Sequence, residues 1–289
     1  MLFAVPKELA TIGWSLEDLV TGRMPEFPQG DLARDGYRIL SAPQSGLAQL
    51  QQRFPGHVLG GLQTYRRYYI DMAGSYDDYL ARFSGKTRST LKRKARKLAK
   101  ESGGELDITE YRNPAEIDAY LEAALPLSRQ TYQARLLDAG LPDTPEARAE
   151  MIGQASRDAL RCYVLRLQGE PIAYLHLPVA GQTLVYAYLG YSADHARLSP
   201  GTVLQMVALE RLFAEGRFRW FDFTEGEGAH KAMFGTDHIE ACSCFLLRPG
   251  VGNRLLLGSL DLFDGSIATA RRLAEGGGAL AKARSLLRG

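Results

Sequence analysis

The sequence predicts a mixed α/β protein built on a mixed sheet, and three observations support this fold class. A strand, a loop, a helix and a second strand follow one another from Thr183 to Thr224, with apolar residues at the matching periods. Short glycine-bearing turns join the three preceding strands, which predicts hairpins. From residue 105 onward the predicted order is β-α-α-β-β-β-α-β-α-β, an antiparallel meander with one crossover through the helix at 202–215.

Composition indicates a globular chain and names no partner. The 289 residues are 45% hydrophobic and 24% charged with a net charge of +2, so nucleic-acid binding would need a local basic patch. Three cysteines, Cys162, Cys242 and Cys244, favour a reducing compartment and form no zinc-ligand pattern, so we expect no metal. Neither a secretory signal nor an apolar run of about 18–20 residues is visible. We therefore expect a cytoplasmic protein, or one peripheral at the inner membrane.

The individual elements follow from apolar periodicity and from capping residues. Ser75 and Ser84 are predicted N-caps, and Gly103 ends the helix that begins after Ser84. Before residue 105 we expect strands at 37–40, 57–59 and 67–72 and helices at 76–83 and 87–102. After it we expect strands at 106–111, 162–167, 172–179, 184–191, 218–224 and 240–247, helices at 113–140, 144–160 and 202–215, a helical turn at 230–234 and a helical tail at 253–287.

The helix within 86–102 is strongly basic. It carries eight cations before its first acidic residue, Glu101, and its apolar stripe of Leu91, Ala95 and Leu98 is narrow. One interpretation is contact with phosphates of tRNA, of an anionic membrane or of a nucleotide-sugar. The other is a solvated face held by its stripe.

The loop that ends at Leu198-Ser-Pro-Gly201 leads directly into the helix at 202–215. Such a loop presents unpaired backbone N–H groups and the positive end of the helix dipole. It is therefore a candidate seat for a phosphate or a diphosphate.

Several motifs together resemble one enzyme superfamily. The pattern Tyr-x-x-x-Gly-Tyr, followed after seven residues by Ser-Pro-Gly-Thr, at 186–202 is similar to that of the GNAT superfamily of acyl-CoA-dependent N-acyltransferases. The segments at 86–94, 169–173 and 221–234 narrow the resemblance to its CelD-like, Fem-related branch, which is associated with cell-envelope polysaccharide or lipid pathways. The resemblance covers roughly residues 65 to 247.

The resemblance implies a division of the chain and a donor site. It implies a degenerate GNAT-like N-terminal half at 1–104, a GNAT-like acyltransferase domain at 105–250 and a helical tail at 251–289. Acetyl-CoA or another acyl-CoA would lie in the central cleft. Backbone N–H donors for the thioester oxygen are expected where a strand bulges, and Gly190 is either such a bulge or an ordinary glycine at a strand end. The implied donor-binding residues are Leu189, Gly190, Tyr191, Arg197, Ser199, Gly201 and Thr202.

Transfer to an amine needs a group that removes its proton. Glu225 or its neighbour Glu227 is a candidate base, although surface carboxylates on such a loop are common. Asp222 and His176 are further candidates, and each is equally a residue of a buried network. Lys231 matches a lysine of the branch and would stabilise an oxyanion or hold an anionic substrate. The candidate substrate contacts are Arg88, Arg129, Tyr132 and Tyr188.

These expectations lead to one function with two rivals. We expect an N-acyltransferase that moves an acyl group, expected to be acetyl, from coenzyme A to a small-molecule or lipid-linked amine. The acceptor class is an amino-sugar, an amino-lipid or a cell-envelope precursor. The rivals are a Fem-like aminoacyl transfer from tRNA and a non-catalytic scaffold that binds an anionic membrane through the basic helix. The sequence contains no indication of the oligomeric state.

Overall fold

The computed structural model describes residues 7–27, 35–130, 140–260 and 262. The chain forms two compact units, which we call the central unit, Tyr68–His238, and the flanking unit, made of the described residues of 1–67 and 239–289. The strands are β1 Leu9–Gly13, β2 Gly36–Pro43, β3 Val58–Asp71, β4 Asp107–Tyr111, β5 Leu160–Leu167, β6 Glu170–Ala180, β7 Thr183–Val185, β8 Tyr188–Tyr191, β9 Trp220–Asp222 and β10 Asp237–Leu247. The helices are α1 Leu16–Thr21, α2 Leu47–Arg53, α3 Tyr76–Ala81, α4 Gly85–Glu101, α5 Ile117–Gln130, α6 Pro145–Ser156, α7 Pro200–Glu215, α8 Ala229–Phe234 and α9 251–260.

The sheet of the central unit has the strand order β3-β9-β7-β6-β5-β4, and β8 pairs with β6 as well. The strands β4, β5 and β6 are antiparallel neighbours, which confirms the predicted meander. The strands β7 and β9 pair in parallel, as the predicted crossover through α7 requires.

Helices cover both faces of this sheet. One core contains Tyr79 of α3, Leu98 of α4, Leu204 of α7 and Phe234 of α8. The other lies under α5 and α6 and is centred on the fully buried Tyr120. The two cores explain why β5 and β6 read as nearly continuous apolar runs, since strands covered on both sides bury both sets of side chains.

The division into units differs from the one implied by the sequence, which placed a boundary at 104/105. The basic helix α4 belongs to the central unit because its apolar stripe packs there, with Leu91 and Leu98 buried. Both predicted N-caps are confirmed: Ser75 accepts a hydrogen bond from the Asp78 N–H, and Ser84 accepts one from the Thr87 N–H. The strands expected at 57–59 and 67–72 are parts of one 14-residue strand, β3.

The flanking unit contains a smaller sheet with its own core. The strand β2 pairs in parallel with β1 and antiparallel with β10. Ile12, Trp14 and Ile39 lie in its core with Cys242 and Cys244, whose thiols are free. Of the expected helical tail, only α9 and residue 262 fall within the described residues. Within the described ranges we find no helix with the length and apolar character to cross a bilayer.

Candidate active site

The sheet of the central unit opens between β8 and β9. Val185 ends β7 opposite Asp222, and the Tyr186 N–H still donates to the Asp222 carbonyl at 2.9 Å. The Ala187 N–H donates to the Val185 carbonyl at 2.9 Å, within the same segment. The following strand, β8, pairs with β6. Backbone groups along the other edge of β8 are therefore available to a ligand that enters the opening.

The interruption lies at Tyr186 and Ala187, not at Gly190, which was a candidate bulge in the sequence. Gly190 is instead paired with Tyr174 inside β8. The physical reason is a change of neighbour: β7 pairs with both β6 and β9, whereas β8 pairs with β6 after β9 has turned away. The single strand expected to reach Tyr191 is thus two strands.

The first turn of α7 lies directly against β8, and Gly201 makes this close approach possible. A Cβ atom at Gly201 would lie 2.9 Å from Cδ2 of Leu189 and 3.2 Å from Cδ1 of Tyr191. Any larger residue would therefore have to displace the side chains of Leu189 and Tyr191. The structure therefore brings together Gly201, Leu189 and Tyr191, three of the residues expected to bind the donor.

The N-terminus of α7 has no side-chain cap. Ser199 occupies the N-cap position with a φ of 54°, makes no side-chain hydrogen bond to the first turn, and no acidic residue lies in that turn. Pro200 occupies the first helical position, where a missing N–H costs nothing. Nearby, Nζ of Lys97 donates to the Arg197 carbonyl at 3.5 Å, so a cation of the basic helix α4 reaches this loop. The arrangement suits an anion.

His230 lies beside the opening, on the α7 side of the sheet. Its ring packs on Phe234 at 4.7 Å between centroids and on Tyr186 at 6.2 Å, although the residue keeps an exposed edge. Nε2 lies 2.6 Å from Oε1 of the fully buried Gln205. Because a carboxamide oxygen only accepts, this contact places the proton on Nε2 and leaves Nδ1 basic. Nε2 of Gln205 has no partner among the described residues.

The electrostatics around His230 favour its neutral form. Enclosure by the surrounding rings lowers the pKa of His230, and the positive charges of Lys231 and Lys94 lower it further. Burial raises the pKa of Tyr186, so its phenol stays protonated and can donate a hydrogen bond but cannot act as a base. At neutral pH the imidazole is therefore uncharged, and the lone pair of Nδ1 carries no proton.

The candidate base His176 lies elsewhere, in the core on the opposite face of the sheet. It is 3% exposed, and its ring packs against Tyr120 and Tyr188, each at 5.8 Å. Its Nδ1 lies 3.2 Å from Sγ of Cys162. Burial lowers the pKa of His176 to about 4. These contacts support the core interpretation of this histidine over catalysis.

The acidic candidates divide between a turn and a loop. Asp222 is buried, and its Oδ1 accepts from the Thr224 N–H at 2.8 Å, which stabilises the turn in which Thr224 has a φ of 62°. This contact favours the network interpretation of Asp222. Glu225 and Glu227 are exposed on the loop that follows, and Nζ of Lys231 donates to the Glu225 carbonyl. Lys231 is thereby held near His230.

The three candidate substrate contacts within the described residues lie in different places. Tyr188 is half-buried beside His176. Arg129 is exposed and forms an ion pair with Asp143 at 2.5 Å. Arg88 is on α4, where it lines a cavity together with Thr202 of α7. Tyr132 lies outside the described residues.

Sequence reasoning did not assign roles to His230 and Gln205. His230 was part of the motif at 221–234, yet its distance along the chain from α7 concealed the contact. Gln205 is nevertheless recognisable in the sequence, because it is a polar residue on the apolar, buried face of α7. A buried amide needs partners, so such a residue indicates a polar neighbour.

Comparisons with known proteins identify a family and a fold for this chain. Residues 85–232, just over half of the chain, match a family model described as an acetyltransferase (GNAT) domain. The crystal structure of FemX aligns with a TM-score of 0.53 and 14% identity, over 86% of this chain and 83% of that chain. The C-terminal domain of a protein named as a lysylphosphatidylglycerol synthetase, from Agrobacterium fabrum, aligns with a TM-score of 0.52 and 15% identity, over 80% and 72%. No curated protein sequence matches the chain. At these identities the two structures show a common fold.

Proposed function

Because the chain belongs to the family of acetyltransferase (GNAT) domains, we propose that it transfers an acyl group, expected to be acetyl, from coenzyme A to a primary amine. The proposed acceptor is an amino-sugar, an amino-lipid or a cell-envelope precursor. The observation that supports this best is the opening of the sheet after Val185, with the uncapped N-terminus of α7 and His230 beside it.

The residues around the opening fit an acyl-CoA donor. The N–H groups of Gly201 and Thr202 in the first turn of α7 would receive the diphosphate, with Lys97 and Arg197 nearby. The unpaired edge of β8 would hold the extended arm by backbone hydrogen bonds and would donate to the thioester oxygen. When bound, the donor supplies an activated acyl group.

The proton balance assigns a role to His230. An amine arrives as an ammonium ion, and Nδ1 of His230 takes its proton so that the nitrogen can attack the thioester carbon. A carbon–nitrogen bond forms and the carbon–sulfur bond breaks. The nitrogen then gives up its second proton, which the leaving thiolate takes, so the products are the amide and the thiol. His230 afterwards releases its proton to water. Lys231 and Lys94, which lower the pKa of His230, also favour the negative charge that develops on the oxygen and the sulfur.

Two measurements test this proposal. Calorimetry with acetyl-CoA and with longer acyl-CoAs is expected to show binding, and its absence with well-folded protein would contradict the donor. Thiol release with a panel of amino-sugars and amino-lipids then measures transfer. We expect His230→Gln to lower the rate by about 10²–10⁴-fold. The exposed His238→Gln is the matched control and should keep wild-type activity.

The pH profile provides an independent check on His230. Activity should fall as the pH drops through the lowered pKa of His230, because the protonated ring accepts no proton. Lys94→Gln removes one cause of that lowering, so the acidic limb should move to higher pH, towards the ordinary value of 6.5. An acidic limb that stays in place in this variant would exclude His230 as the titrating group.

A Fem-like aminoacyl transfer from tRNA is the second candidate, and two observations favour it. The fold is similar to that of FemX, and α4 presents a dense set of cations. Steeply salt-dependent tRNA binding together with no affinity for acyl-CoA would select this candidate.

A further inference from the structure

The central unit contains a cavity of about 320 Å³ between α3, α4 and α7. Its floor is apolar and includes Leu91 and Ala95 of α4 and Met206 of α7. Its rim has charges of both signs, with Arg88 and Lys92 from α4 and with Asp77 and Glu210 from the other two helices. The proposed acyl transfer takes place at the sheet opening, and no step of it has been assigned to this cavity.

The cavity and the sheet opening lie on different faces of α7 and share its first turn. Gly201 contacts β8 and Gln205 contacts His230, so these two residues face the opening. At about 100° per residue, the cavity-lining residues Thr202, Met206 and Glu210 point to the far side of the helix. The cavity therefore begins beside the proposed diphosphate seat and runs about 12 Å along α7.

The two groups attached to a diphosphate bound at this helix end could therefore extend in two directions. One direction leads to the sheet opening and the other leads into the cavity. Coenzyme A has the matching connectivity, because its acyl-bearing arm and its adenosine 3′-phosphate extend from opposite ends of the diphosphate. We infer that the cavity binds the adenosine 3′-phosphate end of the donor; this inference rests on the proposed function.

The lining has the chemistry that this group needs. The apolar floor offers a surface for the base, and the volume lies at the low end of the 300–1,000 Å³ or so found for small-molecule sites, which suits one ring system with its sugar. Arg88 and Lys92, one turn apart on α4, are placed for the phosphate. Asp77 and Glu210 can accept from ribose hydroxyls or from the amino group of the base.

The position also discriminates between the two donors. In an aminoacyl-tRNA the acyl group is attached to the terminal adenosine itself, so that adenosine has to lie at the reaction centre. A nucleoside site on the far side of α7 is of use only to a donor whose acyl group is remote from its adenosine. A nucleoside bound in this cavity would therefore favour coenzyme A over tRNA as the donor.

The experiment compares two donors and a nucleotide probe. Acetyl-CoA contains the adenosine 3′-phosphate, acetyl-pantetheine lacks it, and adenosine 3′,5′-bisphosphate is the probe for calorimetry. We expect Lys92→Glu to weaken probe binding and to raise the KM for acetyl-CoA about tenfold, while the KM for acetyl-pantetheine stays unchanged. Lys100→Glu, an identical charge reversal at an exposed position of the same helix, should leave all three values unchanged. Ala95→Trp, which fills the floor, should act like Lys92→Glu.

The outcomes separate this inference from the proposed function. If the wild-type protein fails to bind the bisphosphate, or if Lys92→Glu changes both donors equally, the cavity is not the nucleotide site although acyl transfer stands. The protein could also bind the bisphosphate in a Lys92-dependent manner and yet transfer acetyl from neither donor. That result would support the cavity as a nucleotide site and would contradict the proposed function. Displacement of the probe by a tRNA acceptor stem would support the tRNA donor and overturn the inference.

Discussion

The buried His176 permits a quantitative prediction about stability. Burial lowers its pKa to about 4 from an ordinary value of 6.5. The unfolded chain therefore binds a proton between these values while the folded chain does not, and stability falls as the pH drops through this range. The gap of about 2.5 between the two pKa values corresponds to about 3.4 kcal/mol once both states are protonated. Between about pH 7 and about pH 5, we expect about 2 kcal/mol of loss from this one ring.

His176→Phe tests the prediction because phenylalanine keeps an aromatic ring between Tyr120 and Tyr188 but cannot titrate. The free energy of unfolding is measured by urea denaturation across this pH range for both proteins. The variant should show a pH dependence shallower by about 2 kcal/mol over the same interval. Its acyl transfer at neutral pH should be retained, because the ring has a packing role.

Two results would refute this reasoning. Equal pH slopes for the wild type and the variant would show that burial does not hold the ring neutral. A variant that is stable at neutral pH but inactive would show that His176 takes part in the reaction, and the assignment of the base to His230 would have to be revised.

The remaining predictions concern the donor site and the core. Gly201→Val should raise the KM for acetyl-CoA about tenfold, because a side chain there collides with Leu189 and Tyr191 and costs about 1–3 kcal/mol of displacement. Glu215→Leu should destabilise the protein by about 3 kcal/mol, because it removes three hydrogen bonds, at 3.0, 3.3 and 2.8 Å, from the fully buried guanidinium of Arg161. Steady-state kinetics and urea denaturation measure the two effects.

Each of these two predictions has a matched control. Gly153→Val on α6 meets only the flexible Arg157 side chain, at 3.4 Å, and should leave the KM unchanged. Asp118→Ala removes an ion pair with Arg148 that is exposed to solvent, and should destabilise the protein far less than Glu215→Leu. If either control matches its test variant, the effect does not arise from the contact named.

Much of the fold could be predicted because it follows from local patterns. The predicted GNAT-like mixed α/β fold is confirmed by the family match. The N-caps at Ser75 and Ser84 and the crossover through α7 were also predictable, because capping and periodicity act over a few residues. The site was predicted in part: the approach of Gly201 to Tyr191 follows from their shared strand–loop–helix unit.

Other features depended on residues that are distant in sequence. The contact of His230 with Gln205 joins two helices, and each residue alone gives only a weak signal. The break at Tyr186 depends on which strand β7 takes as its neighbour, and no local pattern encodes that choice. The assignment of His176 to the core required the packing of α5 on its strand.

By itself, the sequence determined most of the order of strands and helices after residue 105, the loop that leads into α7, and the cationic character of α4. Hydrophobic period, turn chemistry and charge are properties of short segments, so they can be recognised without knowledge of the fold. Only the tertiary structure decided where the sheet opens, which histidine stands beside that opening, and which helix faces enclose the cavity. These features arise from pairing and packing between distant segments. Burial then keeps His176 neutral, while enclosure by neighbouring rings and two cations lower the pKa of His230.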